Sequence, residues 1–285
     1  MPITVKHVSF TYSPGTVFET VALQDISFSI EDGEYVGIMG QTGCGKSTLI
    51  QLLVGLMQPS EGQILMDGKD INERGYLREA LRRKVGIAFQ YPEVQLFETT
   101  VEKDVAFGLR HSGLSKTTIT EHVRWAIETV GLDFDKIRTV SPFSLSGGEK
   151  RRVAIAGILA PQPTTLILDE PIAGLDPVGR EAFLGLTKAL NAAGMTIVMV
   201  SHNAEALAEN AARVIVLEAG RLILDHPTKQ FFRDAEMLRE MGIGISQARE
   251  IACQLTAHGF FIPQDTIQYE ELLPYLITIG KGEGL

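Results

Sequence analysis

The 285-residue sequence has only two cysteines, Cys44 and Cys253, so a disulfide network cannot hold its fold together. It has no uninterrupted apolar run near the roughly 20 residues that a membrane-spanning helix requires. Its first residues also lack the apolar core of a signal peptide. These absences predict a soluble, reduced, cytoplasmic protein that meets a membrane only through partners.

An excess of basic charge is also missing. The chain carries 26 Lys and Arg against 35 Asp and Glu, a formal net charge of −9. Proteins that coat nucleic acid need a basic face, so nucleic acid is not an expected partner. Hydrophobic residues make up 45% of the chain and charged residues 21%, which is typical of a protein that folds around a core.

Apolar runs of strand length alternate with helical patterns over residues 1–225, which predicts an α/β fold. Leu166–Leu168 and Ile197–Val200 are apolar throughout, as in strands covered on both faces. The predicted strands are Ile3–Phe10, Ile26–Ile30, Tyr35–Met39, Gln63–Met66, Val85–Phe89, Leu166–Leu168, Thr196–Val200, Val214–Leu217 and Arg221–Leu224, the last two forming a hairpin.

Two stretches depart from this alternation. Helical spacing replaces strand signals over residues 91–163, which predicts a mostly helical insertion. Residues 226–285 form short helical patterns broken by glycine, and a unit of ~60 residues is marginal as a domain. Four apolar residues of this unit are therefore expected to pack partly against a partner chain: Phe231, Phe232, Leu272 and Leu276.

The strongest motif is GQTGCGKST at residues 40–48, which matches GxxxxGK[ST] between a predicted strand and a predicted helix. Its glycines let backbone N–H groups surround a phosphate, Lys46 reaches the β- and γ-phosphates, and the Ser47 hydroxyl is suited to Mg²⁺. The predicted nucleotide-binding loop comprises Gly40, Gln41, Thr42, Gly43, Cys44, Gly45, Lys46, Ser47 and Thr48.

Two acids end the apolar strand Leu166–Leu168. Acids at the carboxyl edge of a parallel sheet usually face a ligand. Asp169 is suited to hold Mg²⁺, and Glu170 is suited to orient and deprotonate an attacking water. A solvated strand end is the alternative for this pair taken alone.

A second anion site is predicted where Ser146, Gly147 and Gly148 precede a helix. One chain needs a single phosphate cradle, so this site would serve a different nucleotide. On spacing alone Ser-Gly-Gly is a weak signal, and a plain helix N-cap is the favoured interpretation.

Taken in order, these residues resemble the motif set of ATP-binding cassette (ABC) ATPases over residues 3–225. The matching segments are Gly40–Thr48, Gln90, Leu145–Glu149, Leu166–Glu170, Ala173–Asp176 and His202. They correspond to the Walker A, Q-loop, signature, Walker B, D-loop and H-loop motifs. The resemblance further implies that Tyr12 stacks on adenine.

Within that family the chain resembles the ATPase subunits of energy-coupling factor transporters, which drive vitamin and metal-ion uptake. Phe89–Phe97, Arg151–Gly157 and the helical C-terminal unit carry this likeness. Thr11–Thr16 and Asp169–Pro177 look more like the second of the two ATPase paralogues that such transporters often have.

The resemblance implies a P-loop NTPase core of ABC type with three additions: an N-terminal antiparallel β subdomain, a helical signature subdomain and a small helical C-terminal unit. An ABC ATPase domain would span residues 1–225, with the insertion at 91–163. A C-terminal helical dimerisation unit would span residues 226–285.

Two cassettes, copies or paralogues, would then pair head to tail. Each ATP would lie between the Lys46 loop of one chain and the signature residues Ser146, Gly147 and Gly148 of the other. The implied catalytic residues are Glu170, His202 and Gln90, and the implied Mg²⁺ ligands are Ser47, Gln90 and Asp169. A transmembrane coupling subunit and a substrate-binding membrane subunit would hold the pair at the cytoplasmic face of the membrane.

Two residues depart from the family pattern: Glu149 replaces the usual Gln of the signature, and Ile172 replaces the Thr or Ser that commonly follows Glu-Pro.

Two other classes of protein remain as alternatives. A cassette for nucleic-acid repair or translation usually has two cassettes or long coiled-coil insertions. A P-loop kinase or regulatory NTP-binding module would have no use for the signature, the D-loop or His202.

The segment after Gln90 is a candidate docking site for the membrane partner. Its apolar residues, Tyr91, Val94, Leu96 and Phe97, would line a groove, and three acids, Glu93, Glu98 and Glu102, would supply charges at its rim. The alternative is that Leu96 and Phe97 fill the core of the insertion.

Overall fold

The computed structural model describes residues 2–281. Its strands are β1 (Ile3–Tyr12), β2 (Thr20–Ile30), β3 (Tyr35–Met39), β4 (Glu61–Met66), β5 (Lys69–Asp70), β6 (Val85–Ala88), β7 (Thr165–Asp169), β8 (Thr196–Val200), β9 (Arg213–Glu218) and β10 (Arg221–Pro227). Its helices are α1 (Lys46–Leu53), α2 (Arg78–Lys84), α3 (Val101–Val105), α4 (Lys116–Thr129), α5 (Phe134–Ile137), α6 (Gly147–Leu159), α7 (Pro177–Ala192), α8 (Ala204–Asn210), α9 (Thr228–Arg233), α10 (Ala235–Glu240), α11 (Gln247–Ala257) and α12 (Tyr269–Gly280).

The strands form two sheets. A four-stranded antiparallel sheet has the order β2-β1-β4-β5, and a six-stranded sheet has the order β10-β9-β3-β8-β7-β6. In the larger sheet, β9, β3, β8, β7 and β6 run parallel, and β10 returns antiparallel to β9 as the predicted hairpin. The α/β class with an N-terminal antiparallel subdomain is confirmed.

The central strands are buried on both faces, as their unbroken apolar sequences predict. Alternate residues of a strand point to opposite faces, and here they join two different hydrophobic clusters. Ile197 and Met199 of β8 pack with the helices of one face, whereas Val198 and Val200 pack with α1 and the antiparallel sheet on the other. The sheet therefore separates two cores.

Strand β2 begins six residues earlier than the sequence pattern predicts. Asp25 adopts φ 51°, and the β1–β2 pairing changes register beside it, between the pairs Val8–Ile26 and Phe10–Leu23. An irregularity of this kind breaks the two-residue alternation from which strands are predicted. The two-residue strand β5 was likewise missed.

The insertion at residues 91–163 is helical as predicted, with α3 to α6 as its helices. Buried residues from these helices join one face of the central sheet in a single cluster, including Val101, Val123, Val153 and Leu159. The signature segment and the central sheet therefore share one core.

The C-terminal residues are more integrated than their sequence suggests. The boundary predicted between residues 225 and 226 falls inside β10. Phe231 and Phe232 are 1% and 0% exposed and join the main core, while Leu272 is 0% exposed in a small cluster of its own. The expectation that these three residues pack against a partner is wrong, because the chain buries them itself. Leu276 remains 36% exposed.

Within residues 2–281, no helix is both long enough and apolar enough to cross a membrane.

We expect Phe232→Ala to destabilise the main hydrophobic core and not only the C-terminal residues. Truncating a fully buried Phe typically costs about 3–5 kcal/mol. Phe261 is 71% exposed, so Phe261→Ala is the matched control and should change stability by less than about 0.5 kcal/mol. Urea unfolding of the full chain measures both. Equal effects of the two changes would contradict the assignment of Phe232 to the main core.

Candidate active site

The phosphate loop at residues 40–48 connects the carboxyl end of β3 to the first turn of α1. Gly45 caps α1 with φ 107°, and a Cβ there would lie 2.6 Å from the carbonyl oxygen of Ala22. A Cβ on Gly40 would lie 2.2 Å from the carbonyl oxygen of Leu217. Both positions therefore require glycine, and the unpaired N–H groups of the first helical turn are left to an anion.

Lys46 supplies the positive charge of this loop. It is 8% exposed, and its Nζ donates hydrogen bonds to the carbonyl oxygens of Gly40, at 2.6 Å, and Gln41, at 2.9 Å. The phosphate loop therefore fixes the position of the Lys46 ammonium through its own carbonyl groups.

A cleft of about 640 Å³ brings together most of the predicted site residues. Those lining it are Tyr12, Thr42, Gly43, Gly45, Lys46, Ser47, Thr48, Gln90, Asp169, Glu170 and His202. They come from five separate stretches of the chain, which meet where the parallel strands end. Predicted residues that do not line the cleft are Gly40, Gln41, Cys44, Ser146, Gly147 and Gly148.

Sequence reasoning missed three residues that line the cleft, Thr20, Val21 and Ala22. It placed Ala173, which also lines the cleft, in the D-loop without assigning it to the site. Thr20 pairs with Tyr12 across the β1–β2 ladder. Antiparallel pairing would have placed it beside Tyr12, had the start of β2 been recognised. Ala173 lies in the turn that follows Glu170.

The two acids at the end of β7 are fixed by β8 and the residues after it. The Glu170 N–H donates to the carbonyl of Val200 at 2.9 Å, and the Glu170 backbone has φ 47°. Its Oε1 accepts a hydrogen bond from the His202 N–H at 3.1 Å and lies 3.5 Å from His202 Nε2. A non-glycine residue in this region is strained, and its surroundings must hold it there.

Burial raises the pKa of Glu170 above its usual value, and the nearby Asp169 charge raises it further. His202 and Lys46 act in the opposite direction on that pKa. Burial also raises the pKa of Asp169, against the attraction of Lys46 and His202 and a hydrogen bond with Ser47. A carboxylate with a raised pKa is a stronger base, which suits proton abstraction from water.

The donor set around Ser47 fits a magnesium ion. Ser47 and Asp169 share a side-chain hydrogen bond, and Gln90 lines the same cleft. A hydroxyl, a carboxylate and an amide supply only oxygen ligands, which Mg²⁺ prefers, usually beside substrate phosphates and waters. The residues present therefore fit the ion implied by the sequence.

Tyr12 is the last residue of β1 and lines the same cleft. Its ring makes an edge contact with Phe10, with centroids 4.9 Å apart, and its hydroxyl lies 3.0 Å from Thr48 Oγ1. It remains 40% exposed, so the fixed ring still has surface for a stacked base.

The signature segment is exposed at the start of α6, outside the cleft. A Cβ on Gly147 or Gly148 would meet nothing within 4 Å. Ser146 and Glu149 form a capping box, in which Ser146 Oγ donates to Glu149 Oε2 at 2.6 Å. This bond and the Ser146 backbone N–H lower the pKa of Glu149. The unusual glutamate is therefore an ionised acceptor bound to the signature serine.

The remaining two predicted loop residues turn away from the cleft. Gln41 Nε2 donates to the carbonyl of Met241, at 3.3 Å, in the C-terminal residues. Cys44 is 5% exposed and packs in the core on the α1 side of the sheet. The Gln41 side chain therefore links the loop to the C-terminal residues, whereas Cys44 packs in the core and its Sγ accepts a hydrogen bond from Lys46 Nζ at 3.8 Å.

Comparison with known proteins agrees with this geometry. Residues 23–173 match the family model described as ABC transporter. The energy-coupling factor transporter ATP-binding protein EcfA2 of Caldanaerobacter subterraneus subsp. tengcongensis is 47% identical, covering 99% of each chain. The chain belongs to the ABC family, among the energy-coupling factor ATP-binding proteins.

Two solved structures of ABC ATPases resemble this family member. One is cbiO1 from Clostridium perfringens, part of the ABC transporter complex cbiONQ, with TM-score 0.74, 37% identity and coverage of 84% of this chain and 93% of that one. The other is the dimeric cassette MJ0796 bound to ADP and Pi, with TM-score 0.69, 29% identity and coverage of 79% and 98%. The chain therefore has the ABC ATPase fold.

We expect Tyr12→Ala to weaken MgATP binding because the adenine loses its stacking surface. Base–aromatic stacking is worth about 1–3 kcal/mol, or roughly 5- to 150-fold in Kd. Tyr12→Phe keeps the ring and loses only the contact with Thr48, so it should bind nearly as well as the wild type. Titration with a non-hydrolysable ATP analogue distinguishes them. Equal loss in both variants would assign the role to the hydroxyl.

Proposed function

We propose that this chain hydrolyses MgATP to power an energy-coupling factor importer for vitamins or metal ions, working through membrane partners on the cytoplasmic face. The observation that carries the proposal is the single cleft in which the phosphate loop, both β7 acids, Gln90 and His202 meet. An ATPase needs these groups together, and the family membership supplies the transport context.

ATP would bind with its phosphates against the loop at residues 40–48. The N–H groups of the loop and of the first α1 turn, with the Lys46 ammonium, would stabilise the phosphate charge. Ser47, Asp169 and Gln90 would hold Mg²⁺, which neutralises charge on the phosphate oxygens when bound.

Hydrolysis would depend on Glu170 and His202. Glu170 would accept a proton from the attacking water while that water's oxygen bonds to the γ-phosphorus and the bond to the β-phosphate oxygen breaks, giving ADP and phosphate. The contacts of His202 with Glu170 would hold the carboxylate in line and place an imidazole near the γ-phosphate. Positioning and charge stabilisation are the main contributions in such reactions.

A second cassette would complete the site. The exposed Ser146, Gly147 and Gly148 do not line this chain's own cleft, so they are available to a nucleotide held by a partner. Head-to-tail pairing would give each ATP one phosphate loop and one signature helix. The partner would be a paralogue or a second copy.

We expect Glu170→Gln to abolish turnover while MgATP binding is kept, because Lys46 and Ser47 are untouched. The variant should accumulate as an ATP-stabilised dimer, since hydrolysis would normally release it. Phosphate release and sedimentation with MgATP measure the two effects. Near-normal turnover would eliminate Glu170 as the base.

The membrane partner would dock where the helical insertion joins the core. A cleft of about 330 Å³ lies there between the end of α1, α2, β6 and α6. Phe89 and Ile158 line it, and Phe89 directly precedes Gln90. A helix bound in this cleft would touch both the core and the insertion.

The apolar residues after Gln90 divide into two groups. Leu96 packs against the insertion core, whereas Val94 and Phe97 are 77% and 55% exposed. Phe97 meets Phe107 edge-on, with centroids 4.8 Å apart, at the surface. The core interpretation thus holds for Leu96, and the exposed pair remains available for docking.

Two of the three acids expected to supply charge at the docking groove form ion pairs with arginines of this chain. Glu98 pairs with Arg110, and Glu102 lies 3.4 Å from Arg138. The charged residues lining the nearby cleft are basic, Arg78 and Arg82 among them. Apolar contact is therefore the stronger basis for docking at this surface.

We expect Val94→Asp to reduce assembly with the membrane subunits while basal ATPase activity is kept, because it would place a charge on the exposed apolar surface proposed for docking after Gln90. Val17, 94% exposed in the β1–β2 connection, provides the control Val17→Asp. Co-purification in mild detergent measures assembly. Unchanged assembly with Val94→Asp, or equal loss in both variants, would contradict docking at this segment.

A further inference from the structure

We propose that Arg151 is a positioning residue that ties the signature helix to the turn carrying Glu170. Arg151 lies in the second turn of α6 and is only 6% exposed. Its guanidinium donates from Nη1 to the carbonyl of Ala173, at 3.1 Å, and from Nη2 to the carbonyl of Pro171. These carbonyls follow Glu170 in the chain by one and three residues.

The turn that Arg151 holds needs an external support. Glu170 at its start has φ 47°, a conformation that persists in a non-glycine residue only when its surroundings enforce it. Within the turn, the Ala173 N–H donates to the Glu170 carbonyl at 3.1 Å, and Ile172 is 4% exposed. The planar Arg151 guanidinium, with its two hydrogen bonds to the carbonyls of Pro171 and Ala173, forms a fork that fixes the backbone on both sides of Ile172.

A third segment meets the same side chain. The Glu93 carboxylate attracts the Arg151 guanidinium, and its Oε2 is buried without a hydrogen-bond partner. Glu93 lies in the short turn Pro92–Gln95, which packs against α6 and follows Gln90 by two residues. Arg151 therefore joins the signature helix, the segment after Gln90 and the turn after Glu170.

Through Arg151, a movement of α6 would be transmitted to the turn after Glu170, the proposed general base. A nucleotide bound at Ser146–Gly148 acts on the N-terminus of α6, five residues or fewer from Arg151. Any shift of the helix moves the guanidinium, and the two carbonyls move with it. The route rests on the proposed function, because the nucleotide would belong to the partner cassette. The fork itself lies wholly within this chain.

Two substitutions test the fork. Arg151→Gln removes the charge and the fork, and Arg151→Lys keeps the charge with a single ammonium that cannot replace two parallel donors. Arg152 is the matched control, because it is the next residue of α6 and is exposed. It makes a long 3.5 Å bond to the Gly131 carbonyl, and its charge acts on Glu149. Arg152→Gln should behave as the wild type.

We expect kcat to fall in the order wild type, Arg151→Lys, Arg151→Gln, with the last lower by about 10- to 100-fold, since small misplacements of reacting groups have effects of that size. The Kd for a non-hydrolysable ATP analogue should stay within about twofold, because none of the groups that line the nucleotide cleft is changed. Loss of packing alone would not separate kcat from binding in this way.

The measurements use the full chain, alone and together with its partner cassette. A wild-type kcat in Arg151→Lys overturns the proposal, and so does a loss in Arg151→Gln that Arg152→Gln reproduces or that nucleotide affinity explains. If Arg151→Gln does not fold, Arg151→Lys decides. An inactive wild type would instead count against the proposed ATPase, so the two failures are distinguishable.

Discussion

The site depends on the parallel pairing of four neighbouring strands, β3, β8, β7 and β6. Their register sets Ile38 beside Val200, Val200 beside Asp169, and Ala88 beside Leu168. Because parallel strands end at the same edge, the segments that follow them meet there: the phosphate loop, His202, Glu170 and Gln90. No local feature of any one segment would bring these groups together.

Much of this arrangement could be predicted because its signals are local. The buried strands are continuous apolar runs, and the phosphate loop needs glycine where a Cβ would strike a neighbouring carbonyl, as at Gly40 and Gly45. Other features depend on tertiary contacts that leave no local pattern. The burial of Phe232, the turning of Gln41 toward Met241 and the fork of Arg151 are of this kind. An arginine beside a second arginine looks in sequence like an exposed helix surface.

The electrostatics of the cleft follow from its partial burial. Asp169 and Glu170 lie close together where burial raises both pKa values, and Lys46 and His202 offset that effect. Bringing two acids to the end of one buried strand is unfavourable unless cations or donors face them. In the proposed mechanism, adjacent residues would supply a metal ligand and a base. Fixing the backbone of Glu170 would then be as important as its charge, because the two carboxylates would have different roles.

The C-terminal residues support the cleft from outside. Gln41 Nε2 bonds to the Met241 carbonyl, and Gln268 Nε2 bonds to the Ala208 carbonyl at 2.8 Å. The first contact reaches the phosphate loop, and the second reaches α8, which begins two residues after His202. After Asp225 the sequence shifts to short helical patterns broken by glycine, but packing and hydrogen bonding continue across that point. A segment with the composition of an appendage therefore braces two of the elements on which the site is built.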